Sequence, residues 1–141
     1  MTVSRIIVGV DGSDVGAKAV AFAAELADGL SCPVLALHCF EPLSLLGKVK
    51  PPFDFPALKA RAVTALQDEW CAPLAAAAVE FEARVVEGTP IDSLIEAAEA
   101  EPSPLVVVGA RGLNALKGIV MGSTSEALIH RLKTPVVIVP A

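Results

Sequence analysis

Aromatic side chains are scarce in this sequence of 141 residues. It contains no tyrosine, one tryptophan and five phenylalanines, so that aromatic residues make up 4% of the chain. Proteins that bind single-stranded nucleic acids commonly stack the bases on aromatic rings. The formal net charge of -5 also opposes binding to a phosphate backbone. The composition therefore argues against a nucleic-acid partner.

Cysteine is also rare. Cys32, Cys39 and Cys71 form an odd and widely spaced set, with no C-x-x-C pair and no histidine at the spacing of a metal ligand. Disulfide frameworks need paired cysteines, and structural zinc sites need clustered ligands. We therefore expect neither a disulfide nor a structural zinc ion.

Long apolar runs are absent, although 54% of the residues are hydrophobic and the mean hydropathy is +0.63. The longest runs include Pro104–Ala110 and Pro135–Ala141, whereas a helix that spans a bilayer needs about 20 apolar residues. Residues Met1–Arg5 lead straight into a strand-like segment and do not resemble a secretory leader. We expect a cytoplasmic protein without membrane contact, folded as one domain over residues 1–141.

Four short apolar segments alternate with helical patterns along the chain. A fifth, more polar segment alternates polar and apolar positions, which is typical of a strand at the edge of a sheet. Strands that alternate with helices form a parallel sheet covered on both faces, so the order predicts a single three-layer α/β/α domain. The four apolar strands are predicted at Ile6–Val10, Pro33–Cys39, Leu105–Gly109 and Val136–Val139, and the edge strand at Glu80–Val86. Nearly continuous hydrophobicity in Ile6–Val10 and Leu105–Gly109 predicts that these two strands lie inside the sheet.

Capping residues and prolines mark the helices between these strands. The stretch Phe40–Phe55 is longer than most strand-to-helix connections and is either a lid or a surface loop. The first helix is predicted to have its cap at Ser13 or Asp14 and its end at Gly29. The second covers Pro56–Val79 and is interrupted at Pro73, and the third starts at Thr89-Pro90. An S-x-x-E capping box at Ser123–Glu126 marks the start of the last helix.

The strongest functional signal is a pair of glycine motifs separated by nine residues. Gly109-Ala110-Arg111-Gly112 follows the fourth strand, and Gly122-Ser123 begins the last helix. Glycines allow close approach of a ligand to the backbone, and the N–H groups at a helix start favour an anion such as phosphate. The segment 109–133 carries four basic residues and one acid, which supports anion binding. The alternative to an anion site is that these glycines and serines only form a turn and a helix cap.

A carboxylate ends the first strand. Asp11 could accept hydrogen bonds from ribose or help to hold magnesium, or it could simply stabilise the turn before the helix. His38 and Cys39 end the second strand, and His130 lies in the last helix. No nucleophile with a supporting base and acid is identifiable from the spacing of these residues, so we assign no catalytic residue.

Three segments together resemble the universal stress protein family, in the branch that binds ATP. They are Ile6-Ile7-Val8-Gly9-Val10-Asp11-Gly12-Ser13, the glycine motifs at 109–112 and 122–123, and the last strand with its preceding Pro135. The resemblance implies a five-stranded parallel sheet of order 3-2-1-4-5, like that of the adenine-nucleotide α-hydrolases. It implies Mg²⁺ with the nucleotide and a homodimer paired through Val136–Val139. The binding residues that it implies are Val10, Asp11, Cys39, Gly109, Arg111, Gly112, Gly122, Ser123 and Thr124.

The function expected from this resemblance is that of an ATP-binding, nucleotide-responsive module in stress signalling, with slow hydrolysis at most. The sequence shows neither a phosphate-loop lysine nor an identifiable arginine finger. One alternative is an interaction module that dimerises without using a nucleotide. Another is a hydrolase or nucleotidyl transferase on the same architecture, which would need further catalytic residues.

Overall fold

The described part of the chain contains five strands, with α-helices between successive strands, two of them between the second and third. The computed structural model describes residues 2–42, 47–48, 50–111 and 121–141. The strands are β1 (Arg5–Gly9), β2 (Val34–Phe40), β3 (Phe81–Glu87), β4 (Pro104–Gly109) and β5 (Val136–Val139), and the helices are α1 (Asp14–Leu30), α2 (Phe55–Ala65), α3 (Ala72–Ala76), α4 (Pro90–Glu99) and α5 (Ser123–Arg131).

The strands form one parallel sheet of order β3-β2-β1-β4-β5, which confirms the predicted topology. In the central strand, Ile6 pairs with Val34 of β2 and with Leu105 of β4. Continuous hydrophobicity in β1 and β4 predicted that these strands lie inside the sheet, and their middle residues are buried. The alternating segment forms β3 at one edge, where exposed and half-buried residues alternate.

Helices cover both faces of the sheet because successive side chains of a strand point to opposite sides. Ile6 and Val8 belong to the core beneath α1 and α3, whereas Ile7 belongs to the core beneath α4 and α5. All three side chains are fully buried. The result is the predicted three-layer arrangement, with the carboxyl ends of the strands meeting at one edge.

The prediction that Gly29 ends α1 is wrong, because the helix continues to Leu30. Ser31 adopts the left-handed conformation, with φ 51° and ψ 48°, at the position where glycine is usually found. Pro33 follows two residues later and disfavours helical geometry at the residue before it. The chain must therefore turn out of the helix before this proline.

The long helix predicted around Pro73 is interrupted earlier. Residues Leu66–Trp70 form one π-helical turn, in which the N–H of Cys71 donates to the carbonyl of Leu66 at 3.0 Å. Pro73 lies in the first turn of α3, where its missing N–H costs no helical hydrogen bond. The wide turn, and not the proline, redirects this segment.

Two predicted caps are confirmed and the third is wrong. Ser13 caps α1 by accepting from the N–H of Gly16, and Thr89 caps α4 by accepting from that of Asp92. The helix α5, in contrast, is preceded by Gly122 as its N-cap, and no side chain of the described residues caps it. Ser123 is therefore the first residue of the helix and not its cap.

Across the described ranges, no helix combines the length and the apolar character that crossing a bilayer requires. Cys32, Cys39 and Cys71 are free thiols. Burial raises the pKa of Cys71 to about 11, so this thiol stays protonated at neutral pH and acts as a small apolar side chain in the core.

Candidate ligand-binding site

A cavity of about 880 Å³ opens at the carboxyl ends of the central strands. Its lining comes from the ends of β1, β2 and β4, from the first turns of α4 and α5, and from α2 with the following π-turn. Of the residues expected to bind a ligand, all but one lie in this lining: Val10, Asp11, Cys39, Gly109, Arg111, Gly122, Ser123 and Thr124. The ninth, Gly112, is outside the described residues, as are positions 43–46 and 49 of the Phe40–Phe55 stretch.

Hydrogen bonds join the end of β4 to the start of α5. The carbonyl of Ala110 accepts from the N–H of Gly122 and, at 2.9 Å, from the hydroxyl of Ser125. The Ser125 hydroxyl also lies 3.1 Å from the carbonyl of Gly122. Ser125 is buried, with 2% of its surface exposed. The two glycine motifs, which are distant in sequence, are thereby held as one unit.

The start of α5 has the properties of an anion site. The N–H groups in the first turn of a helix have no partner within that helix, and the helix dipole adds positive potential there. Ser123 and Thr124 lie at this turn and line the cavity, as does Arg111. The hydroxyl of Ser125, in the same turn, is bonded to the backbone and not directed to a ligand.

Replacing Ser125 with alanine should lower the free energy of unfolding by about 1–2 kcal/mol, because it removes a buried hydroxyl that joins Ala110 to α5. Urea unfolding would measure the change, and Ser125→Thr, which keeps the hydroxyl, should recover part of it. An alanine variant as stable as the wild type would show that the hydrogen bond contributes nothing.

Asp11 stabilises the turn between β1 and α1. Its Oδ1 accepts from the N–H of Ser13 at 3.0 Å and from the Ser13 hydroxyl at 2.6 Å. A β-carbon on Gly16 would lie 2.5 Å from the same oxygen, so this carboxylate packs directly on the first turn of the helix. Asp11 thus has the turn-stabilising role that the sequence left open, and it also faces the cavity.

The model of the universal stress protein family matches residues 2–140. The chain belongs to this family. A universal stress protein of Thermus aquaticus is 31% identical over 135 residues, which cover 95% of this chain and 96% of that protein. The solved universal stress protein UspA from Lactobacillus plantarum has a TM-score of 0.80 at 21% identity and covers 99% of both chains.

A second solved relative is a universal stress protein in complex with cAMP. It is 29% identical, has a TM-score of 0.76 and covers 99% of this chain and 98% of its own. The family match and these full-length relatives confirm the resemblance found in the glycine motifs and in the first and last strands.

Gly109 has a packing role in this universal stress protein. A β-carbon at this position would lie 2.8 Å from Cγ1 of Val15 and 3.2 Å from its carbonyl carbon and oxygen. The sequence suggested that this glycine clears space for a ligand. The structure shows that it also lets the end of β4 approach the first turn of α1.

Trp70 and His38 were not predicted as site residues, although both line the cavity. Their ring centroids are 5.1 Å apart and their planes are inclined by 62°, an edge-to-face contact. Trp70 also covers Gly12, where a β-carbon would lie 2.6 Å from the indole Cζ2. In the sequence Trp70 is one apolar position of a long helix, and no motif marks it.

Cys39 lies in the lining as expected, and its surroundings make it a poor nucleophile. Burial raises the pKa of its thiol, a hydrogen bond with Ser93 partly offsets this, and the nearby charge of Glu41 raises the pKa further. A thiol attacks only as the thiolate. Cys39 therefore lines the cavity as a neutral thiol.

Proposed function

We propose that this universal stress protein binds an adenine nucleotide, ATP with Mg²⁺, in the cavity at the carboxyl ends of its strands. It then acts as a nucleotide-responsive signalling module built from a single domain over residues 1–141. The observation that carries the proposal is the contrast between the two ends of one cavity. One end presents helix N–H groups and a guanidinium, and the other presents mainly apolar and aromatic side chains, together with Glu41 and Lys48.

The polar end suits the phosphates. Gly122, Ser123 and Thr124 lie at the start of α5, and Arg111, two residues after the end of β4, lines the same cavity. Phosphate groups bind helix starts because unpaired N–H groups and the dipole act together. Guanidinium groups form paired hydrogen bonds with phosphate oxygens. This end accounts for four of the nine residues proposed to bind the nucleotide, with Gly112 expected beside them.

The apolar end suits the base and the sugar. Val10 and Cys39 lie there with Leu37, Phe40 and Leu58. Asp11, at the end of β1, faces the middle of the cavity, where its carboxylate would accept from ribose hydroxyls. The cAMP complex of a 29% identical relative supports an adenine nucleotide as the ligand class.

Magnesium fits this site as a companion of the phosphates. Among the residues that the structure describes, no three His, Cys, Asp or Glu side chains are grouped to hold a metal ion. Mg²⁺ commonly binds through one or two carboxylates, water and substrate phosphates. Asp11 is the carboxylate that would hold it here, and the metal would neutralise phosphate charge.

Binding, and not rapid hydrolysis, is the proposed activity. Nδ1 of His38 lies 2.6 Å from the carbonyl of Val10, which only accepts, so this nitrogen donates and Nε2 is the acceptor of the neutral ring. The raised pKa of Cys39 keeps its thiol neutral. Cys39 is therefore not placed as a general base, and the sequence shows neither a phosphate-loop lysine nor an identifiable arginine finger, so we expect any turnover of ATP to be slow.

Calorimetry with the purified protein tests the proposal. We expect ATP to bind with a stoichiometry of one per chain, more tightly with Mg²⁺ than without it. ADP, AMP, cAMP and adenosine, titrated in parallel, would rank the contribution of each phosphate, and GTP would test the base. If none of these ligands produced heat or raised the melting temperature, the alternative of an interaction module that works without a nucleotide would replace this proposal.

We also propose that the protein forms a homodimer through β5. This strand lies at the edge of the sheet, and all four of its residues are half-buried. The carbonyls of Pro135 and Val139 accept from β4, so in a parallel ladder the backbone groups of Val136 and Ile138 point outward. An unpaired apolar edge of this kind favours pairing with a second copy.

Replacing Ile138 with proline should weaken this dimer at least about tenfold, because it removes an outward N–H without removing a bond to β4. Sedimentation equilibrium would measure the change, and circular dichroism would check that the sheet remains. A variant that is folded and associates as tightly as the wild type would locate the interface elsewhere.

A further inference from the structure

The single tryptophan of the chain lies in the wall of the cavity at its apolar end. Trp70 is the last residue of the π-helical turn Leu66–Trp70. Turns of this type are uncommon inside helices and occur often at functional sites. Here the turn directs a large ring toward the ends of β1 and β2 and away from the exposed surface of α2.

Contacts on two sides fix the position of this ring. Gly12, with φ of 81°, brings its backbone against the indole, where a β-carbon would approach Cζ2 to 2.6 Å. The imidazole of His38 contacts the indole edge-to-face at 5.1 Å. The ring is half-buried and packs against the core beneath α1. A ring restrained in this way loses little conformational freedom when a ligand arrives.

His38 is itself held in one orientation. Its Nδ1 lies 2.6 Å from the carbonyl of Val10, and because a carbonyl only accepts, this nitrogen carries the proton. In the neutral ring the other nitrogen, Nε2, is then an acceptor. Trp70 and His38 both belong to the lining of the cavity, so its apolar end offers an indole ring beside an imidazole.

We propose that Trp70, positioned by Gly12 and His38, contacts the base of the bound nucleotide and makes the site prefer purine over pyrimidine bases. This inference rests on the proposed function and adds the residue that recognises the base. Contact between a base and an aromatic ring contributes about 1–3 kcal/mol to nucleotide binding. A purine has the larger ring system and gains more from such contact than a pyrimidine does.

Fluorescence of the wild-type protein is the first test. Trp70 is the only tryptophan and tyrosine is absent, so the emission excited at 295 nm comes from this ring. ATP should change its intensity, CTP should do so only at higher concentration, and inorganic tripolyphosphate, which has no base, should leave it unchanged. An unchanged emission at ATP concentrations that calorimetry shows to be saturating would overturn the inference.

Substitution of Trp70 is the second test. Trp70→Leu should weaken ATP binding about 10- to 100-fold and leave tripolyphosphate binding unchanged, while Trp70→Phe should retain most of the ATP affinity. If the leucine variant did not fold, the ATP affinity of the phenylalanine variant and the wild-type emission would still test whether Trp70 contacts the base.

The two proposals fail in different ways. A wild-type protein that binds no nucleotide contradicts the proposed function itself. A wild-type protein that binds ATP, with a folded leucine variant that binds it equally well, contradicts only the role of Trp70. Equal losses of ATP and tripolyphosphate affinity in the leucine variant would also overturn it, since they would point to a general distortion of the cavity.

Discussion

Replacing Gly109 with alanine should lower the free energy of unfolding by about 2–3 kcal/mol, close to the upper range for an added methyl group in a packed interior. The new β-carbon would lie 2.8 Å from Cγ1 of Val15 and 3.2 Å from its backbone carbonyl. A side chain can rotate away, but the backbone of α1 can move only with the helix. The added methyl group therefore has to separate β4 from α1.

Gly29 offers a matched control for this substitution. It lies inside α1, and a β-carbon there would meet nothing within 4 Å. Glycine in a helix interior is less favourable than alanine by about 1 kcal/mol. Because Gly29 lies in the last turn of α1, Gly29→Ala should stabilise the protein by less than this. Urea unfolding of both variants should thus give changes of opposite sign. A Gly109→Ala protein as stable as the wild type would show that the contact with Val15 relaxes freely.

The double variant Gly109→Ala/Val15→Ala separates the side-chain contact from the backbone contacts. Removing Cγ1 of Val15 relieves the shortest contact but leaves the two backbone contacts at 3.2 Å. The double variant should therefore be more stable than the sum of the two single changes predicts, yet less stable than Val15→Ala alone.

These glycines show what a motif can and cannot predict. The spacing of Gly109 and Gly122 correctly places both residues in the wall of one cavity. It does not predict that Gly109 is also required by packing against Val15, because that contact depends on how closely α1 approaches β4. A local pattern locates a glycine, whereas the tertiary structure determines why a side chain is not tolerated there.

The fold was predictable because it depends on periodic patterns. Continuous apolar runs identified β1 and β4 as inner strands, and polar alternation identified β3 as an edge strand. The ends of helices were less predictable. Ser31 takes the left-handed position that glycine usually occupies, and the interruption before Pro73 is a π-helical turn whose sequence has no breaking residue.

The lining of the cavity was predictable where strand ends form it and less so where helices contribute to it. Asp11, Cys39 and Arg111 each lie at or just after the end of a parallel strand, and such ends meet at one edge of the sheet. Trp70 reaches the same cavity from the helical layer. Its placement depends on the π-turn and on contact with Gly12, and neither is visible as a sequence motif.

The largest expected effect on binding is that of Gly122→Val. Gly122 is half-buried in the cavity wall as the N-cap of α5, so on the proposed function a side chain added there would compete with the phosphates for space beside the helix start. We expect the affinity for Mg-ATP to fall at least about 100-fold, which corresponds to about 2.8 kcal/mol of binding free energy. Adenosine, which has no phosphate, should lose much less affinity.

The backbone at Gly122 makes this test informative. Its φ of -78° and ψ of 168° are accessible to valine without strain. The hydrogen bonds from its N–H to Ala110 and from the N–H of Glu126 to its carbonyl do not depend on the side chain. The variant should therefore fold, with at most the modest loss of helix stability expected for valine at an N-cap.

A series of side chains of increasing size at position 122 distinguishes a smaller cavity from a less stable fold. Gly122→Ala should have an intermediate affinity for Mg-ATP, because its methyl group occupies less of the cavity than the valine side chain. Unfolding by urea would show whether stability follows the same order. If Gly122→Val bound Mg-ATP as tightly as the wild type, the phosphates could not lie against the start of α5. If its affinity for adenosine fell as far as that for Mg-ATP, the substitution would have disturbed the whole cavity and not the phosphate end alone.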